Sequence, residues 1–217
     1  MSKREELAEG HRYWQSEEDD ILLKWLIMSY NLPSEPSRLR VATWRSLKKL
    51  GAVNIHQSLW LLPLNDENYT ALSMVASNIS ENQGEVLLMQ TIAMEDSYEK
   101  AMISRFNKAR EIEYEEIIDK CNDYFAEINK EIERKNFTFA EAEENEEELE
   151  KLLSWFEKVK LRDVFASPLR EVTEKKLEEC RKCFEDFNSK TFENEKSDPP
   201  FPIGVLSGEG GIYPTRS

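Results

Sequence analysis

The chain has 217 residues, 40% of them hydrophobic and with five Trp and ten Phe, enough apolar mass to fold and to bury one good core or two small ones. Its net charge of −14 opposes nucleic acid and anionic membrane in bulk, and no run approaches the roughly 18–20 apolar residues of a membrane span. The opening MSKREELAEGHRYWQSEEDD has no apolar segment of signal-peptide type and three cysteines are an odd number, so a cytoplasmic protein with reduced thiols and no membrane partner is expected.

Residues 1–20 carry −4 and read as a polar arm with Tyr13 and Trp14 as the only large apolar pair. From Ile21 the run ILLKWLIMSYN, stopped by Pro33, predicts a buried strand. Pro36 and Ser37 then open a helix whose Leu39, Thr43, Ser46, Leu47 and Leu50 share one face, with Gly51 as its stop. AVNIHQSLWLLPLN predicts two short strands in a hairpin turning about Asn54–Gln57, with Pro63 at the edge of the second. Asp66 is the expected N-cap of a helix through Tyr69, Leu72, Val75, Ala76 and Ile79, and EVLLMQTIAM is a last strand. This order predicts an α+β fold: a ferredoxin-like βαββαβ module over 21–94.

After Met94 the strand signals end. Tyr98, Met102, Phe106, Ile117, Ile118, Cys121, Phe125, Ile128 and Ile132 fall at helical spacing in a stretch with no Pro or Gly, which predicts one long amphipathic helix over 97–135. Two further apolar stripes, Leu149 to Val159 and Leu169 to Phe187, make 95–192 an antiparallel region of about three helices. Residues 193–217, rich in Pro and Gly, predict a flexible tail.

The acid is unevenly spread: 95–196 carries −10, whereas 21–94 carries +1. Within the module, Pro36–Ala52 holds Arg38, Arg40, Arg45, Lys48 and Lys49 and no acid, and on a helix Arg38, Arg45 and Lys49 lie close together opposite Leu39, Leu47 and Leu50. Such a stripe suits contact with DNA phosphates, which position a duplex without reading it. It equally suits a solvated helix face, or a patch docked on acidic helices of this chain or of a second subunit.

Other constellations are thinner. Cys180 and Cys183 form a single C-x-x-C with neither His11 nor His56 near, which fits two semi-buried helix residues as readily as a soft-metal or redox pair. EAEENEEELE lacks the turn residues of a calcium loop and reads as a solvated face. Asn31, at the end of the first strand, stands where a metal-dependent nuclease of this fold would present Asp. No phosphate loop, nucleophile–base set or metal cage is visible, so no catalytic residue, metal or cofactor is expected.

The segment WLIMSYNLPSEPSRLRVATWRSLKKLGAVNIHQSLWLLPLN, followed by SRFNKAREIEYEEII, by NFTFAEAEENEEELEKLLSWFEKVKLRDVFASPL and by the helix with Cys180, resembles the N-terminal domain of the bacterial chromate-resistance protein family ChrB over roughly residues 21–190. SRLR, WRSLKKLGA and LWLLP are also similar to the small βαββαβ domain of phenylacetate-type repressors and, more remotely, to the small CRISPR adaptation nuclease. The resemblance implies a cytosolic regulator that binds promoter DNA of a chromate-efflux operon and releases it when chromate is present. Arg105, Arg110 and Arg162, from the RFNxAR and RD motifs, are then the expected contacts for an oxyanion effector. Family members typically carry a second, C-terminal domain, for which this sequence leaves no room; a stand-alone form is expected. A non-catalytic interaction module or homodimer that binds no DNA is the alternative.

Overall fold

The computed structural model describes residues 23–33 and 37–197. The polar arm, Pro36 and the tail beyond Ser197 lie outside the described residues.

Strand β1 (Lys24–Asn31) is apolar on both faces because both are covered. Leu26 and Met28 point into a core with Leu47, Leu72 and Ile79, whereas Trp25 belongs with Val53, Leu61 and Phe106 on the opposite side. Helix α1 (Ser37–Lys49) seats Thr43 and Leu47 in the first core, with Leu39 and Leu50 partly buried; Ser46, expected on this face, is exposed. Strands β2 (Val53–His56) and β3 (Leu59–Pro63) form the hairpin, its turn at Gln57–Ser58 rather than about Asn54–Gln57. Asn54 lies within β2 and its side-chain amide donates to the Gln57 and Leu59 carbonyls, which lets Gln57 adopt φ 42°.

Helix α2 (Asp66–Glu81) is capped by Asn65, not Asp66: Asn65 is extended and its side chain accepts from the Asn68 N–H at 2.7 Å. Leu72 and Ile79 are its buried positions, and Tyr69 is exposed. The turn into β4 (Glu85–Ile92) puts Gln83 in the left-handed region. Gly84 serves a different purpose there, since a Cβ would stand 2.6 Å from Ile79 and 2.8 Å from Leu32. The four strands form one antiparallel sheet in the order β2-β3-β1-β4.

Helices α1 and α2 cover one sheet face. The first turns of α3 (Asp96–Arg134) cross the other, where Trp25, Phe106 and Phe165 pack with ring centroids 5.5–5.7 Å apart. α3 then leaves the sheet and packs with α4 (Phe139–Lys160) and α5 (Leu169–Ser197) around a second core of Tyr114, Ile117, Cys121, Ile128, Leu152, Phe156, Leu177 and Phe187. Lys135 at φ 56° ends α3, and Thr138 caps α4 by accepting from the Glu141 N–H. Helix α5 runs to Ser197, so residues 193–197 are helical and not the start of a tail without regular structure.

The protein is therefore α+β and mostly helical. Its α3 seam departs from the expected apolar list. The buried positions are Phe106, Arg110, Tyr114, Ile117, Cys121, Tyr124, Ile128 and Glu131, spaced from Arg110 onward alternately by four and three as in a coiled coil, while Tyr98 is exposed.

Candidate functional site

Burying Thr43 and Leu47 turns the opposite face of α1 to solvent. Arg38, Arg40, Arg45, Lys48 and Lys49 are all exposed, and none forms an ion pair with a described residue. No acidic side chain of the described helices lies within ion-pair distance of them. Trp44 stands 49% exposed among them, with the Lys48 ammonium 6.0 Å from its ring. Lys48 and Lys49 occupy the last turn, where the negative end of the helix dipole favours cations. Beside this face an open groove of about 580 Å3 runs between α1 and α2, lined by Thr43, Ser46, Lys49, Ala71, Met74 and Asn78.

The end of α1 sits on a buried ionic junction. Gly51, at φ 82°, ends the helix where a Cβ would meet Arg162 and Arg110. Arg110 is only 2% exposed and pairs with Glu113 at 3.0 Å; Arg162 pairs with the same carboxylate. Tyr114 donates its hydroxyl to Asp163 at 3.0 Å, and Asp163 accepts from the Ser167 N–H. Burial lowers the Arg110 pKa, opposed by Glu113; burial and Asp163 push the Tyr114 phenol well above its ordinary range. Two guanidinium groups against two carboxylates leave the junction balanced, yet Arg110 Nε and Nη1 and Arg162 Nε have no partner there.

Of the three arginines singled out from motifs, the structure thus brings Arg110 and Arg162 together and leaves Arg105 apart, exposed and donating to the Ile55 carbonyl. Glu113, Tyr114 and Asp163 complete the junction and escaped the sequence reading, which has Gly51 only as the stop of the helix. The coiled-coil spacing of the α3 seam is the signal that would have found Arg110 and Tyr114.

In the helical bundle, Cys180 is buried and Cys183 half-buried, and Cys180 meets Cys121 of α3. The glutamates of 141–150 line the outside of α4, where Lys151 pairs with Glu147 and Glu148. Asn31 is exposed at the end of β1. Among the described residues no three His, Cys, Asp or Glu side chains are grouped to hold a metal ion, and no helix is long and apolar enough to cross a membrane.

Residues 40–198, more than half of the chain, match the family described as Protein ChrB, N-terminal. A curated relative, Protein ChrB of Cupriavidus metallidurans (strain ATCC 43123 / DSM 2839 / NBRC 102507 / CH34), is 28% identical over 87 residues, which are 40% of this chain and 27% of that protein's length. No solved structure matches.

Proposed function

The chain belongs to the ChrB N-terminal family, and from that premise we propose that it is a chromate-resistance regulator that holds DNA through α1. The observation that carries this reading is the set of five exposed cations around Trp44, none ion-paired with a described residue, in a chain whose net charge is −14. Phosphates would be held by Arg38, Arg40, Arg45, Lys48 and Lys49, and an indole among them offers a surface for stacking or cation contact. The strand order, read from its other edge as β4-β1-β3-β2 with antiparallel neighbours throughout, supports a ferredoxin-like module as the scaffold of this face.

An oxyanion effector such as chromate is placed by the same reading at Arg110 and Arg162, whose unpartnered Nε groups support it; Arg105 takes no part. Gly51 links that junction to the end of α1, so a ligand drawing the guanidinium groups from Glu113 would shift the basic helix. The protein is cytoplasmic and non-catalytic in this account.

Gel shift or fluorescence anisotropy with the promoter of an adjacent chromate-transport operon, with and without chromate, tests the proposal. Binding lost in the triple variant Arg38→Glu, Arg45→Glu, Lys49→Glu and weakened by chromate is expected; equal retention of DNA by that variant overturns it.

A second reading, a homodimeric interaction module without DNA binding, is favoured by β4. It pairs with β1 on one side and its outer edge meets no described strand, and Leu87 and Met89 are 53% and 43% exposed on it. Size-exclusion chromatography with light scattering distinguishes the two: a dimer dispersed by Leu87→Lys with no DNA retention supports the module.

A further inference from the structure

All three cysteines lie in the helical bundle. Cys121 projects from α3 and Cys180 from α5, both fully buried, and their thiols hydrogen-bond to one another across the helix–helix seam. Cys183 lies one turn further along α5 and is half-buried. The surroundings polarise the contact. The hydrogen bond from Cys180 lowers the Cys121 pKa, helped by the Lys176 ammonium, which lies over the Phe125 ring at 4.7 Å. The same bond, with burial, drives Cys180 far upward. These opposite directions favour Cys121 as the nucleophilic sulfur and Cys180 as its resolving thiol.

We propose that Cys121 and Cys180 are a redox pair that closes to an inter-helix disulfide when the cell meets a hydroperoxide. The Cys121 thiolate attacks the peroxide O–O bond; one oxygen stays on sulfur as a sulfenic acid and the other leaves as hydroxide, which becomes water on taking a proton. The Cys180 sulfur then attacks the Cys121 sulfur, and the sulfenic oxygen departs as a second water with the Cys180 proton. Two thiols and one hydrogen peroxide give one disulfide and two waters. The bridge ties α3 to α5 and encloses the whole of α4, whereas a Cys180–Cys183 bridge would remain within one helix. It stabilises the bundle by restricting the unfolded chain. This inference is independent of DNA binding.

The test is oxidation of the full chain with hydrogen peroxide, trapping of remaining thiols with N-ethylmaleimide, and intact-mass and peptide mapping. One trapped cysteine, Cys183, a linked pair of peptides containing Cys121 and Cys180, and a thermal midpoint raised until dithiothreitol is added are expected. Cys183→Ser should form the same bridge, and Cys180→Ser should accumulate a dimedone-reactive sulfenic acid at Cys121. Three trapped cysteines after peroxide, a bridge found only between Cys180 and Cys183, or loss of the bridge in Cys183→Ser overturns the proposal.

Discussion

Gly51 and Arg162 approach so closely that a Cβ on Gly51 would stand 3.0 Å from the Arg162 Cβ, with Arg110 Nη1 at 3.2 Å. The glycine also has φ 82°, which L side chains rarely adopt. Gly51→Ala should therefore cost about 1–3 kcal/mol, read by urea denaturation. An unchanged midpoint would mean that the end of α1 is not fixed on the junction.

Gly84 separates crowding from backbone strain, because its φ is ordinary while its Cβ would meet Ile79 at 2.6 Å, Leu32 at 2.8 Å and the Asn31 carbonyl at 2.9 Å. Gly84→Ala should destabilise by about 1–3 kcal/mol through overpacking alone, and truncating Ile79 in the same chain should recover part of that loss.

Glu113 holds two guanidinium groups, one of them buried. Glu113→Gln leaves Arg110 without its counter-charge and should cost about 3 kcal/mol in thermal or urea unfolding. Arg110→Met, which removes the stranded charge, should cost less. The reverse order would show that the guanidinium's packing outweighs its pairing.

The two buried tyrosines give opposite results on losing a hydroxyl. Tyr114→Phe removes the donor to Asp163 and should cost about 1–3 kcal/mol, whereas the Tyr124 hydroxyl has no partner and Tyr124→Phe should be neutral or stabilising. Burial is the first cause raising both phenols above the ordinary 10.0, so the native chain keeps protons that the unfolded chain releases. Stability from these groups is complete below pH 10.0 and falls as pH rises toward their folded values. Unfolding midpoints measured from pH 8 to 11 should decline at the alkaline end, less steeply in Tyr124→Phe.

Each cation of α1 that meets a phosphate releases about one counterion, so Lys48→Ala should lower the slope of log K against log salt by about 0.9 while leaving the unfolding midpoint unchanged. Lys151→Ala, on the acidic α4, is the control that should leave the slope alone.

What was legible in the sequence was local. Alternation, capping residues and helical spacing placed four strands and five helices close to their observed bounds, and Gly51 was read as the stop of α1. Asn65 took the cap from Asp66 because its side chain reaches the Asn68 N–H. The basic face could be read because it needs only one helix and its buried Thr43 and Leu47. The junction could not: Gly51, Arg110 and Arg162 lie on different elements, and polar residues at seam positions are invisible to a count of apolar ones. Cys121 likewise reads in the sequence as an apolar seam residue, because its neighbour Cys180 lies on a different helix.

The seam of α3 starts on the sheet at Phe106 and ends in the bundle at Glu131 within one unbroken helix of 39 residues, about 58 Å long. Such a rod works as a lever pivoted near Trp25, where Phe106 packs: the arm from there to Arg134 is about 42 Å, so a tilt of about 5° at the sheet would sweep its far end through about 4 Å. Small adjustments beside α1 would therefore be magnified at Arg134, and anything that clamps α4 and α5 would stiffen the arm against its own pivot.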